Sequence, residues 1–279
     1  MQPLAPSSGS GHEFYRSAIA AMRAASLNFL VGGAFALRVH TGIRRDTKDF
    51  DLLIRPRDVE VTLDVLRKAG FRVELTFSHW LAKVWQEDHF IDLIFRSGNG
   101  LCDVDDEWFE FAREEEILGS PLLVCPAEEM IWQKAYIMER ERFDGADVQH
   151  LLRSCGKEMN WERLLRRFGP DWPVLLSHLV LFTYVFPGER ASVPQWVLER
   201  LVSQLRSVNV FEAGRLCRGT LLSRLQYLDD VELGGYTDAR LGPGVEMKPQ
   251  EILQWTAAAR EQENAGDKRG AHGTEVPEP

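Results

Sequence analysis

Three aspartates pose the first chemical question. Asp49 and Asp51 stand two apart in DFDLLI, and Asp92 stands in HFIDLIF, each within an apolar run. Side chains two apart in a strand project from one face, so Asp49 and Asp51 would lie about 7 Å apart at roughly 3.3 Å per residue. Carboxylates that close raise each other's pKa unless a cation sits between them, and an acid inside an apolar strand is costly unless paired or metal-bound. Asp49, Asp51 and Asp92 together suit a hard divalent ion, Mg2+ or Mn2+, of the kind that steadies attacking and leaving oxygens in phosphoryl transfer. The plainer alternative is a solvated strand end, with Asp49 capping a turn and Asp51 paired to Arg45 or Arg55.

Two further groups lie just upstream. Gly32 and Gly33 follow an apolar run at 29–31. A strand entering a glycine turn and a helix start offers bare backbone N–H groups to an anion, although a plain strand-to-helix turn has the same pattern. Arg44, Arg45 and Lys48 immediately precede the acidic strand. They would neutralise phosphate, whose oxygens match arginine's fork, or pair internally with Asp46 or Asp58. Thr47 shares the strand face of Asp49 and would orient the metal site or cap the loop.

The elements that must position these residues follow from periodicity. Apolar Phe14, Ile19, Met22 and Ala25 predict a helix over 12–26, and the run at 29–31 a buried strand. A short helix at 34–40 stops at Thr41-Gly42, and a second strand covers 49–54. Pro56 and an N-cap at Asp58 introduce a helix over 59–69 that ends at Gly70. A strand at 71–75 precedes a hairpin, 80–86 and 89–95, turned at Glu87-Asp88. Residues 104–118 read as acidic and irregular, with a short extended piece at 122–124. From Pro126 the signals turn helical, at 126–142, 144–156, 161–168, 172–186 and 195–207. The expected fold class is α/β (α+β): a small mixed sheet with flanking helices at 12–119, a helical domain at 120–233, and a largely disordered tail at 234–279 containing one helix at 249–261.

Composition narrows the setting. With 44% hydrophobic and 27% charged residues the chain is globular, and its net charge of −9 lacks the basic footprint of a nonspecific duplex binder. A nucleotide or a local RNA contact remains compatible with that charge. Cys102, Cys125, Cys155 and Cys217 show neither CxxC nor zinc spacing, as expected of free thiols in a reducing compartment. No signal-peptide pattern opens the chain, and the most apolar stretch, 174–186, is too short to span a bilayer, so a cytoplasmic protein without membrane contact is expected.

The ordered set GGAFALRVHTGIRRDTKDFDLLI followed by Asp92 resembles the DNA polymerase β-like nucleotidyltransferase superfamily, and its Thr-x-Asp-x-Asp segment most resembles the AbiEii-type toxins and related uncharacterised bacterial nucleotidyltransferases. The resemblance covers about 29–95. It implies that Gly32 and Gly33 contact triphosphate, that Asp49 and Asp51 bind metal, and that Asp92 completes the metal site and helps activate an acceptor hydroxyl. It implies transfer of a nucleoside monophosphate from an NTP to a hydroxyl on tRNA or a small molecule such as an aminoglycoside, with an antitoxin as a partner in the toxin relatives. Lys134, Arg140, Arg142, Asp144 and Asp147 resemble the helical segment after the catalytic domain in those relatives, where the lysine helps bind nucleotide. A catalytically silent binding module or toxin–antitoxin component of the same fold is the alternative.

Overall fold

Alternating apolar and polar residues build a sheet with one buried and one open face. The computed structural model describes residues 9–45, 47, 49–207, 214–245 and 247–270. Its first part runs α1 (Gly9–Ala24), β1 (Leu30–Val31), α2 (Gly33–Thr41), β2 (Asp49–Leu53), α3 (Val59–Lys68), β3 (Arg72–Phe77), β4 (Leu81–Gln86), β5 (His89–Ile94), α4 (Asp106–Glu110), β6 (Arg113–Ile117) and β7 (Ser120–Val124). Helices α5 (Ala127–Ala135), α6 (Gly145–Cys155), α7 (Trp161–Phe168), α8 (Trp172–Val185) and α9 (Gln195–Ser207) follow, then β8 (Leu216–Cys217), α10 (Leu228–Glu232), β9 (Thr237–Asp238) and α11 (Pro249–Gly270).

The seven-stranded sheet has the order β3-β4-β5-β2-β1-β7-β6. The pairs β2–β5 and β1–β7 are parallel and the rest antiparallel, so the sheet is mixed, as expected. Phe50 and Leu52 of β2, Ala82 and Val84 of β4, and Ile91 and Leu93 of β5 are buried on one face. The Tyr15 ring of α1 stacks on Phe50 at 5.0 Å. Their neighbours Asp49, Asp51, Lys83, Trp85, Phe90 and Asp92 remain half-buried on the opposite face. Burial of the first set fixes the register, and the register places the second set side by side.

Three expectations need correction. Residues 113–124 form a hairpin, and β7 pairs with β1, so the sheet continues past the expected boundary at 119/120. Leu118 and Gly119 both have positive φ, the pattern of a two-residue hairpin turn, and the acidic run 114–116 is the charged edge strand of the sheet. The helix expected over 126–142 ends at Ala135, because the charged run 139–142 has no apolar stripe to bury. A loop closed by a Met138–Phe143 bridge replaces it, tied down by Met138 N–H donating to the Leu222 carbonyl at 3.1 Å.

The third correction concerns the tail expected from 234. Its described part is structured, with α11 extending to Gly270. Ser78 donates to Glu251 at 2.9 Å, and the Trp255 ring closes over Gly98 so tightly that a Cβ there would meet it at 2.8 Å. The Gly- and charge-rich composition belongs to a strap that is ordered by tertiary partners. One apolar cluster also runs unbroken from Phe14 to Leu201 through sheet and helices. Among the described residues no helix is long and apolar enough to cross a membrane.

Arg240 anchors the strap. It is 1% exposed, pairs with Asp238 at 2.7 Å and donates to Thr256 at 3.2 Å. Arg240→Ala leaves the Asp238 charge buried without its partner, a loss of about 3–5 kcal/mol. Limited proteolysis should then cut within 214–270 well before wild type, and unchanged protection would show that the strap is held elsewhere.

Candidate active site

The site is built around a backbone approach that only glycine allows. Gly33, the first residue of α2, has φ +53°, and a Cβ on it would fall 1.6 Å from Oδ2 of Asp51. Gly32 N–H donates to the Asp51 carbonyl at 2.9 Å and fixes β1 against β2. The positive end of α2 thus abuts the Asp51 carboxylate. At Gly32 the nearest atoms to an added Cβ belong to the Leu53 side chain, at 3.2 Å.

Register assembles the acids. Asp51 pairs with Asp92 across the parallel strands β2 and β5, and Asp49 lies one step along the same face. Burial, then the charges of Asp92 and Asp49, push the Asp51 carboxyl up to about 7, while Lys134 and Arg142 pull it down. Burial raises Asp92 as well, against a Lys83 ammonium 2.7 Å from its Oδ1 and with a further upward push from Asp49. Tyr15 is raised by burial and then by Asp49 and Asp51, which puts its hydroxyl within their field.

The helical half supplies the facing wall. Lys134 of α5 pairs with Asp144 at 2.9 Å and Asp147 at 2.8 Å. Arg142 pairs with Asp144 at 3.0 Å, and Arg45 reaches from the basic loop to Asp147. Burial alone would raise Asp144, yet Arg142 and Lys134 hold it at about 2. The turn at 136–143 brings these acids back onto Lys134, so the two cations that lower Asp51 are themselves tied to a carboxylate pair.

Thr47 accepts from Asp49 N–H and donates to the Asp49 carbonyl, each at 3.2 Å, and so caps the strand start. Arg44 is exposed and forms no ion pair among the described residues, and Lys48 and Asp46 lie outside them. The internal pairing considered for Asp51 is not formed: Arg55 turns to Asp58 and Asp106, and Arg45 to Asp147. Gly32, Gly33, Asp49, Asp51, Asp92 and Lys134 therefore share one neighbourhood, with Arg45 at its edge. Lys83 is an addition. Lys83 was within reach of the sequence, because a Glu87-Asp88 turn that pairs Gln86 with His89 also pairs Lys83 with Asp92.

The donor set fits a hard divalent cation, being all oxygen, on one sheet face, and carrying like charges that a cation would relieve. Among the described residues, no three Asp, Glu, His or Cys side chains already stand in metal-holding geometry, and Asp92 is drawn to Lys83.

Residues 32–169 match the protein family described as "Uncharacterised nucleotidyltransferase". The match starts at the glycine pair and ends after α7, spanning both walls of the site, and it supports nucleotidyl transfer and the nucleotidyltransferase superfamily in general. No curated protein matches significantly in sequence. Similar solved structures include the antibiotic-resistance factor ANT(2'')-Ia, at 19% identity, 61% of this chain, 96% of that one and TM-score 0.41. The lincosamide antibiotic adenylyltransferase LnuA is similar at 13% identity, 50% and 94% coverage and TM-score 0.36. A putative nucleotidyltransferase from H. pylori is similar at 15% identity, 95% and 98% coverage and TM-score 0.36. Likeness at this level carries no inference about substrate.

Two stability measurements test the geometry. Gly33→Ala should cost more than Gly32→Ala, because it adds left-handed strain of roughly 1–2 kcal/mol to a direct overlap with Asp51; equal losses in urea unfolding would contradict the close approach. Asp144 is depressed from 3.8 to about 2, so its contribution of about 2 kcal/mol is present above pH ~4 and lost as pH falls through ~2. Asp144→Asn should accordingly destabilise at pH 7 and converge with wild type near pH 2.

Proposed function

We propose that this protein is a metal-dependent nucleotidyltransferase that moves a nucleoside monophosphate from an NTP to a hydroxyl acceptor with release of pyrophosphate. The observation that carries this reading is the Asp51–Asp92 register with Asp49 on the same face and the Gly33 backbone against Asp51. Phosphoryl chemistry of this kind asks mainly for positioning and charge neutralisation, which this arrangement supplies.

In the proposed reaction the triphosphate lies at Gly32, Gly33 and the start of α2, where backbone N–H groups and the helix dipole favour anions. Lys134, Arg44 and Arg45 draw its charge, Arg45 on release from Asp147. The acceptor oxygen attacks the α-phosphorus, the bond to the β-phosphate bridging oxygen breaks, and pyrophosphate leaves with that electron pair. Asp92, raised by its burial, takes the acceptor proton on the oxygen that Lys83 leaves open. A divalent cation, Mg2+ or Mn2+, held by Asp49, Asp51 and Asp92 would supply charge neutralisation and a more acidic acceptor hydroxyl.

The acceptor is the end of a tRNA or a small molecule, and the proposed setting is the cytoplasm, in keeping with the free thiols of Cys102, Cys125, Cys155 and Cys217. An antitoxin partner belongs to the same reading. The ion pair between Lys83 and Asp92 favours one alternative, a silent module of this fold in which a lysine occupies the carboxylate that catalysis needs.

Asp49→Asn and Asp51→Asn should each reduce transfer to background in assays with Mg2+, labelled NTPs, total tRNA and an aminoglycoside panel. Full activity in either variant would sink the assignment, and wild type without pyrophosphate release on any acceptor would favour the silent module. The same substitution has a signed effect on stability. Asp51 is raised from 3.8 to about 7, so its charge weakens the fold above pH ~7 and has no effect below pH ~4. In metal-free buffer at pH 8 Asp51→Asn should melt higher than wild type, and added Mg2+ should raise the melting temperature of wild type alone.

A further inference from the structure

The sheet continues beyond the acids as a second, unassigned surface. Two cross-strand rows lie on the open face. One runs Asp51, Asp92, Lys83, Glu74 from β2 to β3, and the next runs Asp49, Phe90, Trp85, Arg72. In the second row the Trp85 and Phe90 rings are 4.8 Å apart. The Arg72 guanidinium lies 5.0 Å over Trp85, and Lys83 Nζ lies 4.0 Å over Phe90. Their neighbours Val84 and Ile91 fill the core on the other face, so Trp85 and Phe90, both half-buried, are not needed there. The Trp85 indole N–H is enclosed without an acceptor among the described residues.

Strand order gives this array its place in the reaction. Gly33 follows β1, the acids Asp49 and Asp51 are on β2, and Asp92 is on β5. A triphosphate at Gly33 and a hydroxyl at Asp92 leave the body of the acceptor to extend over β4 and β3, about 10 Å farther at the usual strand spacing. On the proposed reading of the site as a nucleotidyltransferase, we infer that Phe90, Trp85, Lys83 and Arg72 form the acceptor-binding surface, and that it takes the terminal nucleotide of a single-stranded polynucleotide.

The chemistry selects that occupant. Indole, phenyl and guanidinium planes stack on any base, and an open sheet face carrying aromatic and basic side chains suits splayed single strands. Small molecules favour concave cavities, whereas Phe90, Trp85 and Arg72 form a row across three adjacent strands of the sheet. Lys83 is shared with Asp92 and stands opposite Glu74, and Glu87 and Asp88 form the adjoining turn, so the array and its turn carry a net negative charge. Stacking therefore carries the binding, and its salt dependence is shallow, near that of one or two phosphate contacts.

The test is anisotropy of a fluorescein-labelled single-stranded RNA dodecamer, with Asp51→Asn as the parent so that chemistry is blocked. Adding Trp85→Ala should weaken binding on the order of 10-fold, the scale of one lost base stack, and adding the exposed Arg72→Ala should weaken it several-fold. Trp85→Phe should recover most of the loss, and Arg72→Ala guards against a folding defect at Trp85. In otherwise wild-type protein Trp85→Ala should raise the KM for the dodecamer and leave the KM for NTP unchanged. Absence of dodecamer binding, binding indifferent to both substitutions, or a free nucleoside monophosphate that competes as tightly as the dodecamer would overturn the inference. Binding that depends on Trp85 and Arg72 in a protein without transfer activity would instead sustain the surface and defeat the nucleotidyltransferase reading.

Discussion

Gly33 and Asp51 compete for the same space, and the rest of the site is arranged around that contact. The left-handed backbone at Gly33 lets α2 start against the carboxylate, so the positive end of a helix and a buried acid meet where a side chain would hold them apart. The approach needs β1 and β2 locked in register, and the hydrogen bond from Gly32 to the Asp51 carbonyl supplies that lock. The apolar faces of β2, β4 and β5 then hold the strands to one alignment, since a slip of one residue would turn Asp49, Asp51 and Asp92 into the core.

The acids are kept close at an electrostatic cost that the protein offsets from two sides. Lys83 leans on Asp92 from the neighbouring strand, and Lys134 and Arg142 draw down Asp51 from the helical half. The helical half is held to the sheet by the continuous apolar cluster and by a second set of buried charges. Arg163 and Arg167 of α7 meet Glu129 of α5 at 3.3 Å each, and Arg167 also reaches Asp105 beside α4. The loop carrying Arg142 and Asp144 is held in turn by Ser223 and Arg224, which bond Glu139 at 2.6 and 2.8 Å, and Arg224 also donates to Gln262 of α11 at 3.3 Å. Order in the strap thus reaches the wall of the site.

Much of this was legible in residue order. The acids, the glycine pair and the hairpin bearing Asp92 follow from alternation and turn chemistry, because a half-buried strand records its faces with period two. The edge strand at 113–117 was obscured by its own protective charge, which reads as an acidic loop. The ordered strap was obscured for a related reason. Its Gly, Pro and charged residues signal disorder locally, and partners such as Ser78 and Gly98 more than a hundred residues away decide otherwise.

The sequence by itself determined the chemistry available: three carboxylates within apolar strands, a glycine turn before a helix, and a basic loop between them. Spacing along one strand carries that information because neighbouring side chains must alternate. Only the tertiary structure decided which charges meet. Arg45 was as free, by sequence, to pair with Asp51 as with Asp147, and Lys134 joined the site only once the chain turned at 136–143 and brought Asp144 back to it. Contacts between strands and helices far apart in the chain depend on how the core packs, and no local pattern encodes that.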